Sequence, residues 1–466
     1  MCVRRIKAIH FIGIGGVGMS GIAEVLANLG YAVTGSDISK NSSTERLASL
    51  GIKITYSHIA ENVAECDAVV VSSAIQPNNI ELETARMRRI PIVPRAAMLA
   101  ELMRFKHGIA VAGTHGKTTT TSLLAMLFAS ANLDPTFVVG GKVNSFGFNA
   151  KLGQGKYFIA EADESDASFL HLNPTISIVT NIDCDHMEAY DYDFAKLNQT
   201  FLDFIHRLPF YGLAVLCIDD AAVRNLLPHI SRPYITYGFS EDADIRALSW
   251  QIVGRTTKFT VQIPGHAEPL AMQVNLSGKH NVLNSLAAIA VGLDADIPLD
   301  CIQNSLCDFK GVGRRFEILG EYDLAGKNIT LMDDYGHHPR EVQAVIDAIR
   351  GSWPGQRLVM IYQPHRYTRT KALFEDFAAT LSTVDVLILL DIYSAGEASI
   401  PGVDSRTLCG SIRQRGVVDP IFVADTQQLF TILQSVVQDG DIVLTQGAGN
   451  IGKIAKELSH EFAEML

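Results

Sequence analysis

Residues Gly113, Thr114, His115, Gly116, Lys117, Thr118 and Thr119 gather glycines, hydroxyls and one lysine between an apolar run at 109–112 and a stretch at 122–129 with helical spacing of its apolar residues. A loop so placed turns successive backbone N–H groups toward one point at the positive end of a helix dipole, an arrangement that suits a phosphate. Lys117 then offers a cation to the outer phosphates of a nucleotide, and the Thr118 hydroxyl offers a ligand to magnesium. The general phosphate loop has a further glycine, separated from the Gly-Lys pair by four residues; this chain has Val111 there, so the loop is a compact form. The plainer alternative is a glycine turn before an ordinary core helix.

Two polar segments follow apolar runs downstream. Glu161, Ala162, Asp163, Glu164, Ser165 and Asp166 come after a run at 157–160, and acidic residues at the carboxyl end of a strand beside a phosphate loop are placed to hold a divalent cation. Asn181 to Met187, with Asp183, Cys184, Asp185 and His186, follow a run at 176–180, and a histidine among carboxylates can ligate a metal or carry a proton. The bland readings are a solvated acidic loop and a satisfied structural histidine. Nearer the N-terminus, Gly13, Ile14, Gly15, Gly16, Val17 and Gly18 satisfy G-x-G-x-x-G between strand and helix, with Asp37 ending the next strand. This pattern specifies a diphosphate on a helix N-terminus, and NAD, FAD and a UDP-sugar all carry one.

The elements that must hold these residues are α/β in pattern. Short apolar strands at 8–13, 32–36 and 68–72 alternate with a helix at 19–29; a second set opens at 109 and runs through strands at 157–160, 176–180 and 213–218. An alternating stretch at 245–263, with a turn near Gly254, reads as an antiparallel hairpin. Helices at 281–291 and 299–306 lead to Lys310, Gly311, Val312, Gly313, Arg314 and Arg315, a basic, glycine-punctuated hinge. A third set has strands at 358–362, 386–390, 421–423 and 442–445. The expected architecture is three α/β domains, at 1–106, 107–312 and 313–466, the length of 466 residues exceeding what one core organises.

Composition narrows the function classes. A formal net charge of -11 would repel nucleic acid and anionic membrane, so an anionic substrate must be held by local cations. The seven cysteines form no C-x-x-C pair and fit a reducing cytoplasm. No run approaches the roughly 18 apolar residues of a membrane span.

Four segments, His10 to Glu24, Gly113 to Thr120, Glu161 to Leu172 and Asp333 to Pro339 (DDYGHHP), make the chain resemble the Mur ligases of bacterial peptidoglycan synthesis over nearly its whole length, and within that family the member that adds the first amino acid. The resemblance implies a cytoplasmic enzyme of three domains: an N-terminal Rossmann-like UDP-binding domain, a central P-loop ATPase-like α/β domain and a C-terminal Rossmann-like α/β domain. It would join L-alanine to the lactyl carboxylate of UDP-N-acetylmuramate through an acyl phosphate, with ATP and Mg2+ as cofactors, as a monomer or weak homodimer. Carried over by motif, Gly15, Gly16, Val17, Gly18, Asp37 and Ser73 would hold the UDP-sugar. Gly113 to Thr119 with Asn281, Asn284, Arg315 and Asp334 would hold ATP, and Thr118, Glu161 and His186 would ligate metal. Tyr335, His365, Arg366 and Arg369 would form the amino-acid and sugar-carboxylate pocket, with Lys117, Glu161, His186 and Arg315 carrying catalysis.

Two departures accompany the resemblance. Some siblings bridge their metals with a carbamylated lysine, and no lysine lies between Gln199 and His206, Lys196 having no clear equivalence. Cys184 sits inside the metal motif, where the chemistry requires no thiol. Three rival readings remain: a recycling ligase that adds a tripeptide to the same sugar nucleotide, a nicotinamide-dependent oxidoreductase, which leaves the phosphate loop and both acidic segments idle, and a non-catalytic nucleotide switch.

Overall fold

The protein is described here by a computed structural model covering residues 6–72, 74–324 and 326–464. Its contacts divide it into two compact units. The first takes in the chain up to Ser249 together with Thr260–Met272 and Leu283–Lys310; the second takes in Trp250–Phe259, Gln273–Val282 and the chain from Gly311 onward.

The first unit holds two sheets. The smaller is all parallel, in the order Lys53–Thr55, Ala32–Ser36, Ala8–Ile12, Ala68–Val71, Ile92–Pro94. Strand Ala68–Val71 is a continuous apolar run, and Ala8–Ile12 is apolar apart from His10, because both faces are covered: Phe11, Ile12, Val69 and Val70 are fully buried. In the larger sheet, strand His107–Ala112 lies between Ile176–Val179 and Tyr157–Glu161, all parallel, with Ala112 beside Val179 and Val111 beside Glu161. That register puts the carboxyl ends of three strands side by side, and the phosphate loop, the acidic segment and the Asn181 segment all leave from this one edge. Strands Leu213–Cys217 and Tyr234–Gly238 extend the sheet on one side; Thr136–Val143 and then antiparallel Phe148–Lys151 extend it on the other. Helix Val17–Asn28 packs on that last pair, where a Cβ at Gly21 would stand 3.1 Å from both Val138 and Ala150.

The sheet of the second unit runs Glu317–Asp323, Asn328–Asp334, Ile442–Gln446, Leu358–Tyr362, Val386–Leu390, Ile421–Val423, parallel except for the first pair. Asp334, Gln446 and Tyr362 are in register at the carboxyl edge, so the segments that follow them, 335–338, 447–450 and 363–369, emerge together.

The expected strands are present with ends shifted by a residue or two. Sequence reading missed Lys53–Thr55, Ile92–Pro94, Thr136–Val143, Phe148–Lys151, Tyr234–Gly238, Leu270–Val274, Glu317–Asp323 and Asn328–Asp334. The stretch at 245–263 forms strands Ile245–Val253 and Thr256–Gln262 on either side of Gly254, which adopts φ +59°. Among the described residues no helix is long and apolar enough to cross a membrane.

Candidate active site

The phosphate loop is built so that its backbone, rather than its side chains, faces the helix terminus. Gly116 caps helix Lys117–Ser130 at φ +84° with no side-chain cap, which leaves the first-turn N–H groups for a ligand. A Cβ at Gly116 would stand 2.6 Å from Asn284 Oδ1, so a glycine is required there on both counts. The Asn181 segment braces the loop from the neighbouring strand: His115 N donates to Asn181 Oδ1 at 2.8 Å, Thr114 N to Asn181 O at 3.1 Å, and Asp183 N to Thr114 Oγ1 at 2.9 Å. His115 Nε2 and Asp183 Oδ2 lie 3.1 Å apart.

Lys117 Nζ donates to Gly113 O at 2.5 Å, to Thr114 O at 3.1 Å and to Glu164 Oε1 at 2.8 Å. Burial alone would lower the Lys117 pKa, but Glu164, Asp163 and Glu161 hold it above the ordinary lysine value, so the ammonium stays charged. Burial pushes the Glu164 carboxyl up to about 7 against the pull of Lys117. Glu164 belongs to the acidic run singled out from sequence, yet its pairing with the loop lysine, 47 residues away, was not legible there.

Thr118 lies in the first helical turn and is buried; Glu161 ends its strand and accepts a hydrogen bond from Gly140 N at 2.6 Å. His186 has φ +54° at the start of the Met187–Tyr190 turn, its Nε2 3.6 Å from Asp185 Oδ2. Glu161 and Thr118, on adjacent strand and loop ends, offer the carboxylate and hydroxyl oxygens that a hard cation such as magnesium takes. Cys184 is exposed. Asn284 accepts from Thr120 Oγ1 at 3.2 Å and so reaches the phosphate-loop helix directly.

At the first glycine turn, helix Val17–Asn28 follows Gly16, again without a side-chain cap, as a diphosphate site demands. Asp37 is engaged by the turn itself: its Oδ2 accepts from Gly15 N at 2.8 Å and its Oδ1 from Ser39 N at 3.1 Å. Ser73 lies outside the described residues.

In the second unit the expected pocket residues gather at one sheet edge, with partners sequence reasoning did not supply. His365 stacks on Tyr393 at 5.6 Å and 11°, sits 5.7 Å from the ring of His337, and has Nδ1 3.2 Å from Arg369 Nη1. Tyr335 meets His337 edge-on at 5.4 Å and lies under the guanidinium of Arg315 at 4.9 Å. Arg366 has φ +70°, and its Nε lies 4.0 Å from Glu397 Oε1. Asp334 is buried, and burial raises its carboxyl despite Arg315 and hydrogen bonds from Gly336 N, Phe316 N and Gln446. Of two adjacent arginines, Arg314 is committed to the fold, donating to Asp333 Oδ2 at 2.8 Å and Gly447 O at 2.7 Å. Asn281 Nδ2 donates to Ser277 O at 2.8 Å in the turn that opens its helix.

Three family models match the chain in succession: the Mur ligase family catalytic domain over residues 8–107, the Mur ligase middle domain over 111–292, and the Mur ligase glutamate ligase domain over 314–449. Among solved structures, a UDP-N-acetylmuramate-alanine ligase from Thermotoga maritima is 29% identical, with a TM-score of 0.85, the match covering 99% of this chain and 100% of that one. A UDP-N-acetylmuramate:L-alanyl-gamma-D-glutamyl-meso-diaminopimelate ligase from Neisseria meningitides is 26% identical over 66% of this chain and 100% of that one, with a TM-score of 0.61. A murein peptide ligase from Psychrobacter arcticus shares the fold, at 22% identity, 99% coverage of both chains and a TM-score of 0.75.

Proposed function

This chain belongs to the Mur ligase family, and we propose that within it the protein joins L-alanine to the lactyl carboxylate of UDP-N-acetylmuramate at the expense of ATP. The observation that carries the ATP-dependent part is the Lys117 ammonium, kept charged by buried Glu164 on a glycine turn whose backbone N–H groups are left for phosphate. The choice of alanine is supported by the full-length likeness to the alanine ligase of Thermotoga maritima.

The chemistry follows from the charges. A carboxylate is a poor electrophile, so the γ-phosphate of ATP is first transferred to it, and the amine of alanine then displaces phosphate from the acyl phosphate. Bringing two anions together is opposed by their repulsion, which Lys117 offsets at the phosphate loop. Thr118, Glu161 and His186 would hold magnesium, which when bound supplies further positive charge for the same purpose. The glycine turn at Gly15 to Gly18 takes the diphosphate of the sugar nucleotide. Arg366 and Arg369 offer planar forks suited to carboxylates, with the His365 and Tyr393 rings beside them.

Arg366→Ala is expected to raise KM for the amino acid by about tenfold or more, the loss of a charge-assisted hydrogen bond, while leaving KM for ATP near its original value. Steady-state kinetics with each substrate varied in turn checks this; unchanged acceptor kinetics would remove Arg366 from the pocket. The proposal as a whole is tested by phosphate release from ATP with UDP-N-acetylmuramate and, in separate reactions, L-alanine, L-serine, glycine and the tripeptide. Fastest release with L-alanine is the expected result. Preference for the tripeptide would make the protein a recycling ligase, and no release with any acceptor would end the proposal.

A further inference from the structure

Arg95 is the first residue of helix Arg95–Met103, which has no acidic residue in its first turn and no side-chain cap. A cation at that position faces the positive end of the helix dipole and is disfavoured there, so its presence calls for a partner elsewhere. The partner is Asp163 of the acidic segment, with Arg95 Nη2 donating to Oδ2 at 3.1 Å. On its other side the guanidinium lies against helix Val17–Asn28 at the first glycine turn: a Cβ at Gly18 would stand 3.2 Å from Arg95 Nη1 and 3.4 Å from Cδ. Among the described residues the Asp163 bond is the one side-chain hydrogen bond Arg95 makes, and a guanidinium carries five N–H donors. The side chain of Arg95 thus reaches from the turn suited to a diphosphate to the carboxylates around the phosphate-loop lysine. All of these residues lie in the first compact unit.

We propose that Arg95 couples the two nucleotide sites: it donates to the diphosphate of the sugar nucleotide at the Gly15 to Gly18 turn while staying paired with Asp163, so that filling one site sets the charge cluster of the other. This rests on the reading of the first turn as the UDP-sugar site. Arg95 acts on the ATP side through Asp163 and is there a positioning residue.

The test is isothermal calorimetry on the full chain, measuring the Kd of UDP-N-acetylmuramate with and without a saturating non-hydrolysable ATP analogue, in wild type, Arg95→Ala, Arg95→Lys and Asp163→Asn. The ratio of the two constants in wild type is expected to be about fivefold or more. Arg95→Ala is expected to weaken sugar-nucleotide binding by about tenfold and bring the ratio to one. Arg95→Lys, which keeps the charge but not the fork, should recover affinity and not the ratio, and Asp163→Asn should keep the affinity measured alone and lose the ratio. A wild-type ratio of one, an Arg95→Ala protein matching wild type in both numbers, or one that loses affinity with the ratio intact would each overturn the coupling. Wild type binding neither ligand would overturn the parent reading as well, which separates the two failures. Arg95→Lys also guards against a misfolded alanine variant, since affinity restored by the lysine cannot come from an unfolded protein.

Discussion

Lys117→Ala is expected to fold normally and to lose turnover by a hundredfold or more. The side chain belongs to the site rather than the apolar core: its ammonium ends on two loop carbonyls and Glu164. Phosphoryl transfer between two anions makes the loss large, since one preorganised charge at the transferring group contributes about 3–4 kcal/mol to the transition state. Removal also strands Glu164. With its counter-charge gone, burial acts on that carboxyl unopposed by Lys117 and favours the protonated form, so stability at neutral pH should change less than activity. Circular dichroism and single-turnover phosphate release on the same preparation check this together. A folded variant that retains near-normal turnover would contradict the phosphate-loop assignment.

Glu81→Gln is expected to abolish most of the acid sensitivity of the N-terminal sheet. Glu81 is fully buried and gathers Ser36 Oγ at 2.7 Å, His58 Nδ1 at 2.7 Å and Asn62 Nδ2 at 2.5 Å, with His10 Nε2 at 3.5 Å. Burial alone would raise its carboxyl, but the hydrogen bonds from His10, Asn62, Ser36 and His58 outweigh that and bring it from 4.5 down to about 2. At about 1.4 kcal/mol per pKa unit the difference corresponds to about 3 kcal/mol. A depressed carboxyl binds fewer protons folded than unfolded. Its contribution is therefore complete above the unfolded value near 4.5 and is lost as the pH falls from there through about 2. Amide protection factors in strands Ala8–Ile12 and Ala32–Ser36 should fall between about pH 4.5 and pH 2 in wild type and stay much flatter in Glu81→Gln. Parallel decline in both proteins would show that Glu81 does not govern the transition.

The difference between what was and was not legible in the chain has a physical basis. The glycine turns could be read because their requirement is local: Gly116 must be glycine for its own φ and for the closeness of Asn284, and the flanking apolar runs announce strand and helix. The strand carrying Glu161 was equally plain, being a short apolar run buried on both faces. Asn328–Asp334 was missed although it delivers Asp334, because its alternating polar residues and its antiparallel partner Glu317–Asp323 lack the apolar continuity of the central strands. Thr136–Val143 was hidden by its glycine pair, Gly140 being forced by the carboxylate of Glu161 packed against it.

Partners made by tertiary contact left no signal at all. Tyr393 reaches His365 through an isolated bridge between two loops, and Glu397 meets Thr368 from the same distant segment. Arg95 looked like any helix-opening arginine until Asp163, 68 residues on, was placed beside it. The choice between Arg314 and Arg315 likewise belongs to the sheet: the guanidinium groups of both lie over the ring of Tyr335, and it is Arg314 that pairs with buried Asp333.

The central claim is that the terminal phosphoryl group of ATP is handed to the sugar-borne carboxylate. Turnover with UDP-N-acetylmuramate labelled with oxygen-18 in its lactyl carboxylate, in the presence of L-alanine, tests it most directly. The account requires one labelled oxygen in the released inorganic phosphate for each amide formed, because the carboxylate oxygen that attacks phosphorus leaves with it. Phosphate free of label while amide accumulates, or label found in AMP, would contradict it.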